Sequence, residues 1–260
     1  MDNPSLWDTI REEVVLEASK EPILASFFYA TILNHDTFEG ALSFHLANKL
    51  DSLTLPAIAV REIIQQAFDG DASIAEYVCQ DVRAVVDRDP VCSEYSVPLL
   101  YFKGFQALQA YRVSHWLWNQ GREALALFFQ NQISMVFNVD IHPAAKIGGG
   151  ILVDHATGIV IGETAVIEDD VSIMQQVTLG GTGKEVGDRH PKIRRGVLIA
   201  TGAKVLGNVE VGIGAKVAAG SVVLSAVPPH TTVAGVPAKV VGKPCCPSPS
   251  LNMDQNIEGE

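Results

Sequence analysis

The sequence predicts an α+β protein in which an all-helical N-terminal domain precedes a parallel β-helix. Two observations lead to this prediction. From Ile141 to about Pro228, aliphatic residues return every six positions, a period that fits neither a 3.6-residue helix nor an alternating strand. From Ser5 to about Phe137, apolar residues instead follow helical spacing, with cap residues and prolines between the segments. The chain therefore divides near residue 140.

The helical part, residues 1–139, contains recognisable start and stop signals. Asp36 with Glu39 resembles a capping box, and Asp71 can cap the run that follows it. Arg88-Asp89-Pro90 ends a helix, because proline cannot continue one. We expect six to eight helices that form an assembly domain.

Residues 140–243 form the predicted β-helix. Each hexad supplies one short strand and a turn, and three hexads close a coil of about 18 residues around an aliphatic core. The expected core residues are Ile141, Ile147, Val153, Ile159, Ala165, Val171 and Val177, and then Ile193, Ile199, Val205, Val211, Val217 and Val223. An insertion loop at 183–192 interrupts the repeat, and the polar segment 244–260 is expected to be a mobile tail.

Composition narrows the classes of function. The net charge is −11, of which residues 1–140 carry −10 (9 basic, 19 acidic) and residues 141–260 carry −1 (10 basic, 11 acidic). Nucleic acid is therefore not an expected partner, since a phosphate-binding surface needs concentrated positive charge. No apolar run reaches the roughly 18 residues that span a bilayer, and no signal peptide is recognisable, so we expect a cytoplasmic protein without membrane contact. The four cysteines have no disulfide or zinc spacing.

Several motifs resemble the hexapeptide-repeat acyltransferases and, within them, the serine O-acetyltransferase family. They are the runs 140–150 (DIHPAAKIGGG), 154–162 (DHATGIVIG), 177–184 (VTLGGTGK), 188–192 (DRHPK) and 234–242 (AGVPAKVVG), with 88–90 (RDP) and 98–112 in the helical part. The resemblance implies a left-handed β-helix and transfer of acetyl from acetyl-CoA to L-serine, the first step of cysteine biosynthesis from serine. It also implies feedback inhibition by L-cysteine.

The same resemblance implies partners. Members form homotrimers through the solenoid and pair the trimers through the helices, which predicts a hexamer. Their C-terminus ends in an isoleucine that enters O-acetylserine sulfhydrylase. Here Ile257 stands three residues before Glu260, which departs from that pattern.

The catalytic residues implied by the resemblance are His155 and Asp140. Acetyl transfer needs a base for the alcohol proton, and histidine suits this because its ordinary pKa lies near 6.5. His155 occupies a position outside the hexad core, so it should face outward, and Asp140 would hold its other ring nitrogen. No cysteine lies in the matched motifs, so we expect direct attack by the serine hydroxyl without an acyl-enzyme.

Substrate binding requires groups for both charges of a zwitterion. The resemblance assigns the serine carboxylate to Arg189 and His190 in the insertion loop, which reaches over a neighbouring subunit, and an arginine can donate two parallel hydrogen bonds. It assigns the ammonium group to Asp89 and Asp154. Asp89 is also explained as a helix-ending residue before proline, and both explanations can hold together.

Acetyl-CoA is expected in a groove between adjacent solenoids, and no metal is expected. Glycines permit close backbone approach, and an N–H there can stabilise the tetrahedral oxyanion. The positions that match cofactor contacts are Gly181, Thr182, Gly183, Thr201, Gly202, Lys216, Ala219 and Lys239.

Three alternatives remain open from sequence alone. The first is a hexapeptide acetyltransferase for a sugar or xenobiotic hydroxyl, which would not need the Arg189-His190 clamp. The second is a zinc hydratase of the γ-carbonic anhydrase type built on His142, His155 and His190, although these lack its ligand spacing. The third is a structural scaffold, which would leave the insertion unexplained.

Overall fold

The computed structural model describes residues 3–184 and 186–257, so Glu185 of the predicted insertion loop and the last three residues of the predicted tail lie outside it. Residues before the solenoid are helical, as predicted. The α-helices are α1 (Asn3–Lys20), α2 (Ala25–Phe28), α3 (Phe38–Lys49), α4 (Ala57–Gly70), α5 (Ala72–Arg88), α6 (Ser96–Tyr101), α7 (Lys103–Asn119) and α8 (Glu123–Phe137). A 3₁₀ turn (Pro22–Leu24) and a π-helical turn (Tyr29–Leu33) flank α2.

Helix ends follow local capping chemistry. Asp71 caps α5 as predicted, and its Oδ1 accepts a hydrogen bond from Ser73 N at 3.0 Å. The capping box at Asp36 is wrong, because Thr37 caps α3 and its Oγ1 accepts from Gly40 N at 3.1 Å. Asp89 is the C-cap of α5, which places its carboxylate at the end of that helix.

The solenoid is a left-handed parallel β-helix with three flat faces. Its strands are β1 (Val139–Ile141), β2 (Lys146–Ile147), β3 (Leu152–Val153), β4 (Ile159–Ile161), β5 (Val166–Ile167), β6 (Ser172–Ile173), β7 (Thr178–Gly180), β8 (Lys192–Ile193), β9 (Leu198–Ile199), β10 (Lys204–Leu206), β11 (Glu210–Val211), β12 (Lys216–Val217), β13 (Val222–Val223), β14 (Thr232–Ala234) and β15 (Lys239–Gly242). Up to β13 every third strand pairs: β1-β4-β7-β10-β13 form the first sheet and β2-β5-β8-β11 the second, while β3-β6-β9-β12 are extended by β14 and β15 to form the third. All pairs are parallel except β14 with β15.

The hexad register differs from the predicted one in the second coil. Ile141 pairs with Ile161 rather than Ile159, so the first coil has 20 residues. Ile161 then pairs with Leu179, and Leu179 pairs with Val205 across 26 residues. The expected core residues of this coil lie two positions before the stacked ones; they are Ile159, Ala165, Val171 and Val177, and all four are also buried. Because both positions are buried, the pattern could not distinguish them.

The extra chain is therefore divided between two places. Val153 and Ile161 are eight residues apart instead of six, so two additional residues lie in the turn that contains His155. Leu179 and Ile193 are fourteen apart, so eight additional residues lie in the loop before β8. The sequence pattern had placed all ten in that loop.

A buried ion pair joins α5 to α7, and its remaining hydrogen bonds fix these helices to the first coil. Arg112 Nη2 donates to Asp81 Oδ2 at 2.7 Å and to Gly148 O at 2.8 Å. The other oxygen of Asp81 accepts from Ile151 N at 2.9 Å. The Asp81 side chain is fully buried. Removal of either partner would leave a buried charge unpaired. The pair therefore persists, and its hydrogen bonds to Gly148 and Ile151 hold α5 and α7 against the solenoid.

Residues 244–257 of the tail lie against the third sheet, and the mobility of this segment stays a prediction. A short helix, α9 (Pro249–Asn252), places Ser250 where its Oγ donates to Asp170 O at 2.5 Å. Lys216 Nζ donates to Asn256 O at 2.6 Å. Composition does not reveal this polar pairing with the sheet. Within residues 3–184 and 186–257, no helix combines the length and apolarity needed to cross a bilayer.

Candidate active site

A cavity of about 450 Å³ separates the helical part from one corner of the solenoid. The end of α5, the junction of α6 and α7, and the turn after β3 form its walls. Its lining residues are Asp89, Val91, Tyr101, Phe102, Lys103, Gly104, Leu152, Val153, Asp154 and His155. Three of the predicted site residues, Asp89, Asp154 and His155, therefore meet in one cavity.

His155 projects from the solenoid, and 70% of its side chain is exposed. Its Nε2 lies 3.6 Å from Asp154 Oδ1. Asp154 is held by its backbone, whose N–H donates to Ile173 O of the next coil at 2.8 Å. An imidazole in this position is accessible to a substrate and has a carboxylate beside it.

The electrostatics of this cavity favour a bound cation. Burial raises the pKa of Asp154, and the neighbouring Asp89 carboxylate raises it further, while His155 acts in the opposite direction. Asp89 Oδ1 also accepts from Val91 N at 2.9 Å, which fixes its carboxylate at the cavity wall. Two carboxylates that repel each other in a half-buried space would be stabilised by an ammonium group between them.

The pairing of Asp140 with His155 stays a prediction. Asp140 lies on β1, and its Oδ1 accepts from Gln130 Nε2 of α8 at 2.7 Å. The carboxylate that lies 3.6 Å from His155 Nε2 belongs to Asp154.

Arg189 and His190 lie together in the loop between β7 and β8. Arg189 Nη2 donates to Glu163 Oε2 at 2.5 Å, and the backbone N–H groups of Arg189 and His190 both donate to Thr164 Oγ1, at 3.0 and 3.1 Å. His190 is buried, and its Nδ1 accepts from Thr164 N at 3.1 Å. Burial lowers the pKa of His190, and the adjacent Arg189 lowers it further. The hydrogen bond to Arg189 lowers the pKa of Glu163.

These two groups of residues occupy different corners of the solenoid. We name the corner between the third and first sheets the His155 edge; it contains His155, Gln175, Thr201 and Ala219. We name the corner between the first and second sheets the Arg189 edge; it contains Glu163, Thr164 and the loop with Arg189 and His190. Arg189 and His190 therefore do not line the cavity of His155 in the same chain.

Three of the predicted CoA positions continue the His155 edge. Backbone hydrogen bonds connect its successive turns, from Gln176 N to Thr157 O at 2.9 Å, from Gly202 N to Gln175 O at 2.9 Å and from Gly220 N to Thr201 O at 2.8 Å. Coils of a solenoid stack about 4.8 Å apart. Thr201, Gly202 and Ala219 thus follow His155 along one edge, in line with a long ligand.

The other predicted CoA positions are distributed elsewhere. Gly181, Thr182 and Gly183 begin the loop on the Arg189 edge. Lys239 is exposed at the start of β15. Lys216 differs from its prediction, because it is 2% exposed and its ammonium group is hydrogen-bonded to the carbonyls of Asp254 and Asn256. With the tail in this position, Lys216 is not accessible to a phosphate.

Sequence reasoning missed several residues that shape the site. Lys103 lines the cavity and its Nζ donates to Thr157 Oγ1, and Tyr101 and Phe102 form the adjacent wall. Glu163 and Thr164 support the loop with Arg189. Tyr101, Phe102 and Lys103 lie in the run 98–112 and Thr157 lies in the run 154–162, whereas Glu163 and Thr164 follow directly after that run.

The zinc-hydratase alternative finds no support in the arrangement of side chains. Across the part of the chain that the structure describes, no group of three or more His, Cys, Asp or Glu residues is arranged to hold a metal ion. His142 packs its ring edge-on against Trp118, with the centroids 5.1 Å apart. Its Nδ1 accepts from Ala144 N at 3.1 Å, which occupies that nitrogen.

Comparison with known proteins gives a consistent result. A family model described as serine acetyltransferase, N-terminal, matches residues 6–110. Serine acetyltransferase of Escherichia coli strain K12 is 62% identical over 254 residues, which cover 98% of this chain and 93% of that protein. The similarity to this relative therefore includes both the helical part and the solenoid.

Solved structures extend the comparison. Serine acetyltransferase from Vibrio cholerae superposes with a TM-score of 0.98 at 63% identity, covering 99% of this chain and all of the other. A serine acetyltransferase in complex with cysteine gives 0.96 at 57% identity, with 98% and 99% covered. The serine acetyltransferase of Brucella abortus in complex with coenzyme A gives 0.92 at 48% identity, with 95% and 98% covered.

Proposed function

This chain belongs to the serine acetyltransferase family, and we propose that its catalytic base is His155, acting at the His155 edge. The reaction transfers the acetyl group of acetyl-CoA to the hydroxyl of L-serine and gives O-acetyl-L-serine and CoA. The observation that supports this site is the meeting of His155, Asp154 and Asp89 in one cavity, at the edge that Thr201 and Ala219 continue.

The chemistry is a direct transfer. The His155 imidazole takes the serine hydroxyl proton as the oxygen attacks the thioester carbonyl, and a tetrahedral oxyanion forms. When this intermediate collapses, the carbon–sulfur bond breaks, and the CoA thiolate takes the proton back from the imidazolium. Asp154, 3.6 Å from Nε2, stabilises the imidazolium while it exists. Histidine thus ends each cycle in its starting form.

The ammonium group of serine binds between Asp89 and Asp154. Burial and mutual repulsion raise the pKa of Asp154, and a cation between the two carboxylates removes that repulsion. A sugar hydroxyl offers no such charge. The paired carboxylates therefore favour an amino-acid acceptor over a neutral one.

The serine carboxylate binds to Arg189 and His190 of a neighbouring copy. Within one chain these residues lie on the Arg189 edge, away from the cavity. When three solenoids pack side by side, the His155 edge of one copy can face the Arg189 edge of the next. A homotrimer would then complete each site with residues from two copies, with Gly181, Thr182 and Gly183 on the opposite wall of the groove.

Acetyl-CoA lies along this groove. The half-buried turn at Thr201 and Gly202 and the exposed turn at Ala219 offer backbone groups in successive coils, and Lys239 offers a positive charge for its phosphates. A relative binds CoA as a solved complex. The oxyanion would accept a backbone N–H from the loop that begins at Gly181.

L-Cysteine inhibits by occupying the serine position. It presents the same ammonium and carboxylate as serine, with a thiol in place of the hydroxyl, and a relative has been solved with cysteine bound. We further propose that trimers pair through the helical part into hexamers. Large exposed apolar residues there, Ile23 at 89% and Ile58 at 66% exposure, support such a contact. Docking of O-acetylserine sulfhydrylase on the tail remains a prediction.

The test measures release of CoA thiol from acetyl-CoA with L-serine, D-serine, a galactoside or no acceptor. The informative variant is His155→Asn, because asparagine tolerates the left-handed backbone that His155 adopts, with φ at 54°. Its matched control is His230→Asn, since His230 is also exposed and also left-handed, with φ at 50°, but lies outside the cavity.

We expect thiol release to require L-serine, to fall by about 10³-fold or more in His155→Asn, and to survive in His230→Asn. Activity that persists in His155→Asn would remove His155 from its role as base. Release with a galactoside but not with L-serine would show that the charged contacts assigned to Asp89 and Arg189 are wrong.

A further inference from the structure

The turn that carries His155 is the first break in the repeat. At the corners that lead into the first and third sheets, the residue three positions before each stacked aliphatic residue has a positive φ; examples are Gly150 before Val153 and Gly158 before Ile161. The turn adds two further left-handed residues, His155 with φ at 54° and Ala156 with φ at 60°. They are the two residues by which this turn exceeds a hexad. Consecutive non-glycine residues in this region are unfavourable, so the surroundings must hold them.

The first turn of α7 packs directly on this insertion. A Cβ added to Gly104 would lie 2.1 Å from Val153 O and 3.1 Å from Ala156 Cβ. Glycine is therefore needed for helix and turn to approach this closely. Ala156 is completely buried beneath the helix. Packing of α7 on Ala156 therefore opposes relaxation of this residue out of its left-handed conformation.

Lys103 adds a polar contact at the end of the insertion. Its Nζ donates to Thr157 Oγ1, across 54 residues of sequence. The Thr157 backbone is also engaged, because its N–H donates to His155 O at 2.7 Å and its carbonyl accepts from Gln176 N at 2.9 Å. The insertion is therefore held by the next coil on one side and by α7 on the other.

We propose that Lys103 and Gly104 are positioning residues for His155. They hold the two-residue insertion in its left-handed conformation, and this directs the imidazole out of the edge and into the cavity. Because α7 is fixed to the first coil through Arg112, its first turn provides a rigid template. The proposal rests on the proposed function, since it assumes that His155 is the base.

The test uses Lys103→Met, which keeps the length of the side chain and removes the donor. We expect kcat to fall by about 10-fold while KM for L-serine and for acetyl-CoA changes less than about twofold, because the ground-state contacts remain. Lys103→Arg, which retains a donor, should keep most of the activity. Lys49→Met, an exposed lysine at the end of α3, is the matched control.

A double variant tests whether Lys103 acts by maintaining the left-handed conformation of the His155 turn. Glycine adopts positive φ freely, so Ala156→Gly placed in the Lys103→Met protein should recover part of the lost kcat, about threefold or more. Gly104→Ala should lower kcat further than Lys103→Met, about 100-fold, because the helix must move away from Val153 O. The melting temperature of Lys103→Met should equal that of Lys49→Met.

Separate outcomes overturn the two proposals. If His155→Asn abolishes thiol release and Lys103→Met leaves kcat within twofold, the positioning role is wrong and the proposed function stands. If Lys103→Met raises a KM with kcat unchanged, Lys103 binds a substrate directly. If neither Lys103→Arg nor Ala156→Gly restores kcat, the left-handed turn is not what Lys103 maintains. Activity retained in His155→Asn would overturn the proposed function itself.

Discussion

The solenoid departs from its repeat at two turns, and these two turns are built in opposite ways. The insertion at His155 adds two residues, both in left-handed conformations, beside a carboxylate whose pKa is raised by burial. The insertion at Arg189 adds eight residues, and hydrogen bonds to the preceding coil support it: Thr164 Oγ1 accepts two of its backbone N–H groups, and Arg189 lowers the pKa of Glu163. One insertion has an unfavourable backbone conformation, and the other is supported by polar contacts.

This difference is explained by the roles proposed for the two insertions. A base and an ammonium site need groups that are not already neutralised, because their partner arrives with the substrate. A loop that presents an arginine to a neighbouring copy must instead keep one conformation before the partner arrives. The His155 insertion therefore depends on packing against α7 and on the next coil, whereas the Arg189 insertion is held by hydrogen bonds to Thr164 and Glu163 of the preceding coil. Substitutions in the two insertions should differ accordingly.

Among substitutions that leave His155 in place, the largest expected effect is at Asp154. Asp154→Asn removes the negative charge that stabilises the imidazolium and one of the two carboxylates for the ammonium group. We expect kcat/KM for L-serine to fall by about 100-fold or more, since each of these contributions is worth at least about tenfold. Steady-state kinetics measure it, with Asp69→Asn on the exposed face of α4 as control. A loss below threefold would mean that Asp154 acts on neither group.

At the Arg189 insertion the effect should be on binding. Arg189→Lys keeps the charge but loses the two-donor geometry, so KM for L-serine should rise by about 10- to 100-fold with kcat little changed. Glu163→Gln, which only loosens Arg189, should raise KM by a smaller factor. A fall in kcat with constant KM would place Arg189 in the chemical step and would remove the contrast between the two insertions.

Much of this architecture could be predicted from the sequence, because a six-residue aliphatic period has few structural solutions. The positions of the two insertions could not be predicted in the same way. In the second coil aliphatic residues occupy both alternatives, as with Ile159 and Ile161, and both are buried. The pattern therefore assigned ten extra residues to one loop, although two belong to the His155 turn. Only the pairing of strands distinguishes these registers.

Site residues whose role depends on contacts between positions far apart in the sequence could not be predicted either. Lys103 and Thr157 are 54 positions apart in two separate motifs, and nothing in either motif shows that their side chains meet. The polar composition of the tail does not reveal that Ser250 and Asn256 have partners on the third sheet. The short motifs that contain Asp89, Asp154 and His155 single out these residues, but they do not show that all three line one cavity.

The next effect is on stability: we expect a lower melting temperature when a hydrogen bond of the Arg189 insertion is removed. Thr164→Val keeps the shape but removes the oxygen that accepts from the N–H groups of Arg189 and His190. Buried donors left without a partner cost about 1–3 kcal/mol, so the melting temperature should fall by several degrees. Thr54→Val, at an exposed position before α4, is the control. An unchanged melting temperature would show that the loop is not maintained by Thr164.

The smallest effect should be a rise in melting temperature, and we expect it at Asp154, beside the His155 insertion. Because the folded protein raises the pKa of Asp154, its charged form opposes folding at neutral pH, and that cost disappears as the pH falls below the ordinary aspartate pKa of about 3.9. Asp154→Asn resembles the protonated form, so we expect it to raise the melting temperature at pH 7.5 by a few degrees while it removes activity. The difference from wild type should shrink as the pH is lowered. A lower melting temperature of Asp154→Asn at pH 7.5 would mean that the attraction between Asp154 and His155 outweighs the cost of burial. The polar groups at the His155 insertion would then stabilise one another, as those around Arg189 do.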